Sequence, residues 1–267
     1  LIESLYLKIC PFIFTIHDPR INPGRDNLLK KILNKLITII GDTFIVHGEK
    51  LKKDLIFDMS IPEQSVHVIP HGNLNLFKDK ELNILEEKET ILFFGHIEKY
   101  KGIKYLFEAY KILFKMYPNI KIIIAGRGDE IEKYRNIYDS NPNFEIHNKF
   151  IKNSSVASFF KRASVVVLPY TAASQSGILS LAFSFGKSVV ASDVGSIGEV
   201  LKHGYNGLLV PPKDSAALSK AISSLFEDKE YAQEIGKNAK RTSQTTLSWK
   251  NISLETQLVY INNHELN

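Results

Sequence analysis

The sequence predicts an α/β protein built on parallel sheets with helices on both faces. Three observations carry this. From residue 90 onward, short continuous apolar runs alternate with longer amphipathic ones; a second, shorter set of the same kind lies before residue 80; and the charged segment KDKELNILEEKET (78–90) separates the two as a linker. Strands that lack alternating polar positions are buried on both faces, as parallel strands are.

In chain order, FIFTI (12–16) reads as a strand. A helix follows in which Leu28, Leu29, Ile32, Leu33, Leu36 and Ile37 recur at helical spacing, with Lys30, Lys31 and Lys35 mostly between them. TFIV (43–46), a helix over about 49–58 and VHVI (66–69) complete the first set. The second opens with ILFF (91–94) and a helix over about 102–117, whose Ile103, Leu106, Phe107, Tyr110, Leu113, Phe114 and Tyr117 form one side. KIIIA (121–125), a short helix near 130–138, FEI (144–146) and a helix capped by Asn153 or Ser154 follow. VVVL (165–168), a helix over about 177–185, SVVA (188–191), LLV (208–210) and a helix opening at Asp214 complete it, and SWKNISLETQLVYI reads as a last helix with no strand after it.

A chain of 267 residues, 44% hydrophobic and 24% charged, is an ordinary folded composition with room for one large domain or two small ones. A single cysteine, Cys10, excludes a disulfide framework and a cysteine-based zinc cluster and points to a reducing compartment. The most apolar stretch, LIESLYLKICPFIFTI, carries Glu3 and Lys8, is broken by Pro11 and lacks a signal-peptide cleavage site, so a cytoplasmic location is expected. Because the chain opens on Leu1, it is expected to be a piece of a longer protein. The net charge of +5 is too small to argue a nucleic-acid partner. Between Arg20 and Lys53, however, eight basic residues face three acidic ones, an excess equal to the whole net charge. The basic face around Lys30, Lys31 and Lys35 has two readings, a solvated face or a peripheral contact with anionic lipid at the inner face of a membrane.

Several familiar signatures fail on inspection. Gly126 and Gly128 follow a strand, but the third glycine of a dinucleotide fingerprint falls on Ile131. Phe-Gly-Lys-Ser (185–188) resembles the end of a phosphate loop, yet its lysine enters a strand rather than a helix. His47 and Glu49 form an H-x-E with no cysteine pair after it, which excludes a zinc deaminase, and no D-x-D pair is present. Two loops remain. ILFF runs into Gly95-His96-Ile97-Glu98-Lys99-Tyr100-Lys101-Gly102, and VVVLPY runs into a small-residue segment ending in Gln175-Ser176-Gly177 before a helix. Glycine turns, a lysine and free helix-start amides at the carboxyl ends of parallel strands suit an anion such as a phosphate.

Taken together, TIHD (15–18), VIPHGN (68–73), FFGHIEKYKGIKYLFEA (93–109), IIIAGRGDE (122–130), ASVVVLPY (163–170), QSGILSLAFSFGKSVVASDVGSIGEV (175–200) and NGLLVPPKD (206–214) resemble, in order and spacing, glycosyltransferase family 4. These are retaining enzymes of the GT-B fold that use nucleotide-activated sugars. The resemblance implies two Rossmann-like domains facing a cleft, the first only partly present: 1–80 as the end of the acceptor-side domain, 81–245 as the donor-binding domain, and 246–267 as a helix crossing back to the first. It implies that Lys101 holds the donor diphosphate, next to Gly95. His96 stands where the family usually has arginine, so either His96 binds protonated or Lys99 supplies the second cation. The family's paired glutamates fall on Ala173 and Leu181, and this chain instead carries the loop of a polysaccharide-building branch, leaving the donor phosphates to the amides of Ser176, Gly177 and Ile178. By the same resemblance, Phe150 and Ile151 receive the nucleobase and His17 faces the donor from the other domain as a catalytic residue; the alternative for His17 is a turn histidine beside Asp18. Glu199 either touches the donor or is a helix-start glutamate, while His71 and His203 read as structural.

The expected function is retaining, metal-independent glycosyl transfer from a nucleotide sugar to a saccharide or lipid-linked saccharide in surface polysaccharide assembly. No cofactor is expected beyond that co-substrate, and the piece alone is expected to bind donor without transferring. The rival reading is a catalytically silent nucleotide-sugar binding or scaffold protein.

Overall fold

The computed structural model describes residues 11–17, 28–77 and 83–264. Cys10, Asp18, Arg20 and Arg25 lie outside them, as do the side chains of Lys30 and Lys31. Two all-parallel sheets are present. The smaller has β1 (Ile13–Thr15), β2 (Thr43–Val46) and β3 (Val66–Val68) side by side, with Ile13 opposite Thr43 and Phe44 opposite Val66. Helices α1 (Leu28–Ile40) and α2 (Glu49–Met59) make its crossovers. Phe44, Val46, Leu51, Leu55, Ile61 and Val66 form its core. Ile37 of α1 packs there too, but Ile32, Leu36, Ile39 and Ile40 are exposed beside Lys35, so among the described residues the apolar face of α1 is covered only in part.

The larger sheet contains β4 (Thr90–Phe94), β5 (Lys121–Gly126), β6 (Phe144–Asn148), β7 (Val165–Leu168), β8 (Ser188–Ser192) and β9 (Leu208–Val210), in the order β6-β5-β4-β7-β8-β9. Alternate side chains divide its core in two. Ile91, Phe93, Ile122, Ile124, Val165 and Val167 pack with α3 (Ile103–Leu113) and α8 (Ser215–Glu227), while Leu92, Ile123, Val166 and Leu168 pack with α5 (Asn153–Arg162) and α6 (Gly177–Ser184). α4 (Arg135–Tyr138) and α7 (Ile197–Val200) are single turns, the first packed on the α3 side through Ile137 and Tyr138 and the second on the α6 side through Ile197.

Helix ends differ from expectation where capping decides them. Asp214 accepts from the Ala217 amide as expected, but Asp228 accepts from Tyr231, so a second helix, α9 (Lys229–Gln244), begins there. The N-cap of α5 is Lys152 rather than Asn153 or Ser154, with no side-chain cap. α3 stops at Leu113, short of the expected 117. After α9, α10 (Trp249–His264) reaches the smaller sheet: Trp249 Nε1 donates to the Asn73 carbonyl at 2.9 Å, and Ile252 and Val259 pack on Ile45 and Ile69.

The charged segment before β4 is anchored where it is described. Glu86 accepts from Lys187 Nζ, whose other bonds go to the Ala163 and Lys161 carbonyls. The lysine of the false phosphate loop is therefore a buried structural group. Glu87 pairs with Arg162 and Lys121, and Glu145 on β6 accepts from Arg162 Nη1 at 2.8 Å and from His147 Nε2 at 2.7 Å. The Arg162 hydrogen bonds hold the Glu145 carboxyl down at about 2, below the usual carboxylate range. Its folded value being lower than its unfolded one, this stabilisation is complete above about pH 4.5 and is lost as pH falls towards 2. Urea unfolding should show a loss of about 2 kcal/mol across that window. In Arg162→Leu most of that slope should vanish; an unchanged slope would assign the acid sensitivity elsewhere.

Candidate functional site

The order of the larger sheet reverses between β4 and β7, and the carboxyl ends of the strands at such a reversal are where open α/β sheets bind ligands. The first, Gly95 to Gly102, is fixed by backbone contacts. A side chain on Gly126 would lie 1.8 Å from the Gly95 carbonyl oxygen and one on Gly128 2.1 Å from that of Ile97, while the Ile97 amide donates to Arg127 O at 3.0 Å. The two glycines that fail as a dinucleotide fingerprint are thus needed for this close approach. Gly102, at φ +69°, ends the turn and starts α3.

Lys101 Nζ sits 3.8 Å above the centre of the Tyr170 ring and 5.2 Å from that of Tyr100, with no ion pair among the described residues. An aromatic face holds an ammonium without neutralising it, so the charge remains available to an anion. Tyr170 is 1% exposed, and its hydroxyl has no hydrogen-bond partner among the described residues. The loops are joined where the Thr171 amide donates to the Tyr100 carbonyl at 2.8 Å.

The second loop delivers the start of α6. Ser176 accepts from the Leu179 amide at 3.3 Å as N-cap, and the space a Gly177 side chain would enter is empty to 4 Å. Ile178 lies 3.5 Å from where a Gly95 side chain would begin, so the two loops meet there. The loop is backed by Gly195, at φ +57°, whose side-chain position is 1.7 Å from the Ala173 carbonyl. Gln175 Oε1 and Ser196 Oγ are buried without partners among the described residues. The positive end of α6 and the Lys101 ammonium are thus both at the carboxyl side of the larger sheet, on the loops that follow β7 and β4.

His96 and Lys99 are exposed on the first loop; Phe150, 77% exposed, and half-buried Ile151 follow β6. At the paired-glutamate positions, Ala173 is half-buried and Leu181 packs in the core. His203 Nδ1 accepts from the Leu209 amide, and His71 Nδ1 donates to the Gly72 carbonyl, both local contacts.

The smaller sheet contributes two arrangements the sequence did not reveal. His17 lies 2.9 Å from His47, a residue read only as part of a failed zinc motif; the available signal was that each comes within two residues of the end of a strand. Glu199 accepts from the amides of Glu49 at 2.6 Å and Lys50 at 2.9 Å, so it caps α2 on the other sheet. Gly48 is required there, because a side chain would lie 2.2 Å from Ser196 Oγ. No group of three or more metal-binding side chains occurs among the described residues, nor is any described helix long and apolar enough to cross a membrane.

Comparison with known proteins follows the same outline. Residues 76–242 match the family described as glycosyl transferases group 1. The chain is similar to the uncharacterized glycosyltransferase MJ1607 of Methanocaldococcus jannaschii, 28% identical over 94% of this chain and 69% of that protein. It is also similar to lipopolysaccharide 1,2-N-acetylglucosaminetransferase of Salmonella typhimurium, 27% identical over 78% of this chain and only 59% of that protein. Among solved structures, Anabaena Alr3699/HepE in complex with UDP and glucose superposes with a TM-score of 0.75 at 20% identity, over 92% of this chain and 70% of that one, which shows a shared GT-B fold. With 167 of its 267 residues inside the family match, the chain belongs to the glycosyl transferases group 1 family.

Proposed function

We propose that the protein of which this chain is part transfers a sugar, with retention, from a nucleotide sugar to a saccharide or lipid-linked saccharide, as a family 4 member of the branch with a Gln-Ser-Gly donor loop. The observation that carries this is Lys101, an ammonium without an ion pair among the described residues, held on an aromatic face where two strand-end loops meet. As the sugar–oxygen bond breaks, negative charge grows on the departing diphosphate. Lys101 and the amides of Ser176, Gly177 and Ile178 meet that charge in place of a metal ion. Gly95 leaves room for the phosphate, His96 or Lys99 adds a second cation, Phe150 and Ile151 take the base, and His17 faces the sugar from the smaller sheet. Residues 1–80 supply part of the acceptor side. Lys35, exposed beside Ile32, Leu36 and Ile39, supports peripheral contact with an anionic membrane. The loop type and the similarity to the lipopolysaccharide 1,2-N-acetylglucosaminetransferase of Salmonella typhimurium support a role in surface polysaccharide assembly.

Replacement of the paired carboxylates by Ala173 and Leu181 favours a second reading, a silent nucleotide-sugar binding protein. One experiment addresses both. UDP, GDP and ADP, with their sugar conjugates, are titrated against the 267-residue chain while thermal unfolding is followed, and an extended protein is assayed for nucleoside diphosphate release with and without EDTA. The expected result is stabilisation by at least one diphosphate, and release by the extended protein that survives EDTA. Binding without release selects the silent reading, and no stabilisation by any diphosphate overturns both.

A further inference from the structure

Three imidazoles gather at the carboxyl edge of the smaller sheet: His17 beyond β1, His47 directly after β2, and His71 beyond β3. Their hydrogen bonds are directional. His47 Nδ1 lies 2.8 Å from the Ile69 carbonyl oxygen, and His47 Nε2 lies 2.9 Å from Nδ1 of His17. A carbonyl oxygen carries no proton, so the hydrogen in the first contact belongs to His47 Nδ1. Neutral His47 then has only a lone pair at Nε2. The hydrogen between the rings must come from His17 Nδ1, which leaves Nε2 of His17 as an acceptor. Free histidine side chains favour the opposite tautomer, with the hydrogen on Nε2. His71 does not interrupt this chain: it meets His47 edge-on, with ring centres 5.7 Å apart, and its own Nδ1 faces the Gly72 carbonyl.

We propose that His47 is a positioning residue that locks His17 into the Nδ1–H tautomer, so that His17 presents an unprotonated Nε2 as acceptor for a hydroxyl group in the cleft. The functional part rests on the reading of His17 as facing the donor. The anchor is backbone: the Ile69 carbonyl belongs to the segment after β3, whose amide is itself bonded to Val46 O at 2.8 Å, just before His47. The chain Ile69 to His47 to His17 therefore runs from the rigid edge of the sheet outward, ending on an exposed imidazole. This is the arrangement by which a partner at one ring nitrogen decides what the other can do.

The test uses the 267-residue chain labelled with 15N-histidine, at pH 8, where ordinary imidazoles are neutral. Long-range proton–nitrogen spectra distinguish the two tautomers, with the His17 signals assigned from their loss in His17→Asn. Wild type should show His17 as Nδ1–H. In His47→Phe, which keeps a ring but removes the acceptor, His17 should revert to Nε2–H; His47→Gln, whose amide oxygen can accept, should restore Nδ1–H. The signals of the other histidines serve as the folding control, and if the Phe variant does not fold, wild type and His47→Gln decide. An Nε2–H His17 in wild type, or an Nδ1–H His17 that persists in folded His47→Phe, overturns the proposal. In an extended protein, His47→Phe should lower kcat roughly tenfold with little change in donor KM, as for other residues that orient a functional imidazole. If the tautomer is as stated but His17→Ala transfers normally, the donor-facing reading falls while the imidazole pair stands.

Discussion

Lys101→Ala should lower transfer by an extended protein roughly 10- to 100-fold, the equivalent of about 1.5–3 kcal/mol for a charge-assisted contact to the diphosphate. The effect should lie in function and not in stability, because Lys101 makes no ion pair among the described residues and its main neighbour is the Tyr170 ring. Steady-state kinetics and a thermal melt of the same preparation check both parts. Lys101→Arg should recover little, since a planar guanidinium stacked on Tyr170 would present its donors in a different place from the ammonium. Full turnover by Lys101→Ala would remove the main support for placing the diphosphate here.

Gly102→Ala, one residue on, should act in the opposite way, chiefly through stability. Its φ of +69° disfavours any side chain, and the new methyl would start 1.8 Å from the Pro169 carbonyl oxygen, a backbone atom with no rotamer to change. Backbone strain of about 1–2 kcal/mol plus overpacking of about 1–3 kcal/mol gives a loss of about 2–5 kcal/mol, a fall in Tm on the order of 5–15 °C. Gly204→Ala is the control: its φ is +74°, but the nearest atom to the added methyl is Tyr231 Oη at 3.7 Å, so only the strain applies. Calorimetry on both variants decides, and equal losses would refute the clash.

The alternation of strands and helices was legible because it depends on side chains two to four residues apart. β4, β5, β7, β8 and β9 all lie within a residue or two of the runs ILFF, KIIIA, VVVL, SVVA and LLV. Helix ends were less so. Phe114 and Tyr117 keep the helical spacing of α3, yet the helix stops at Leu113 as the chain turns towards β5, and a further helix starts at Asp228, after the one that opens at Asp214. The turns after β4 and β7, each leading to a helix, could be read because turn chemistry is local. Contacts between distant segments could not. Glu199 meets residues 149 and 150 positions earlier and His17 meets one 30 positions later, and nothing in either local sequence names its partner. Tyr170 had no reading of its own, since only the folded chain lays its ring beneath Lys101.

The carboxylate of Glu199 has a consequence for the equilibrium between the two sheets. Helix α2 begins at Gly48 with no side-chain cap from its own segment, so it borrows a cap that belongs to the larger sheet. A cap of this kind contributes about 1 kcal/mol, which multiplies the ratio of docked to separated arrangements by about five. A ligand that bridged the two sheets would thus inherit part of the free energy of bringing them together, instead of supplying all of it from its own contacts.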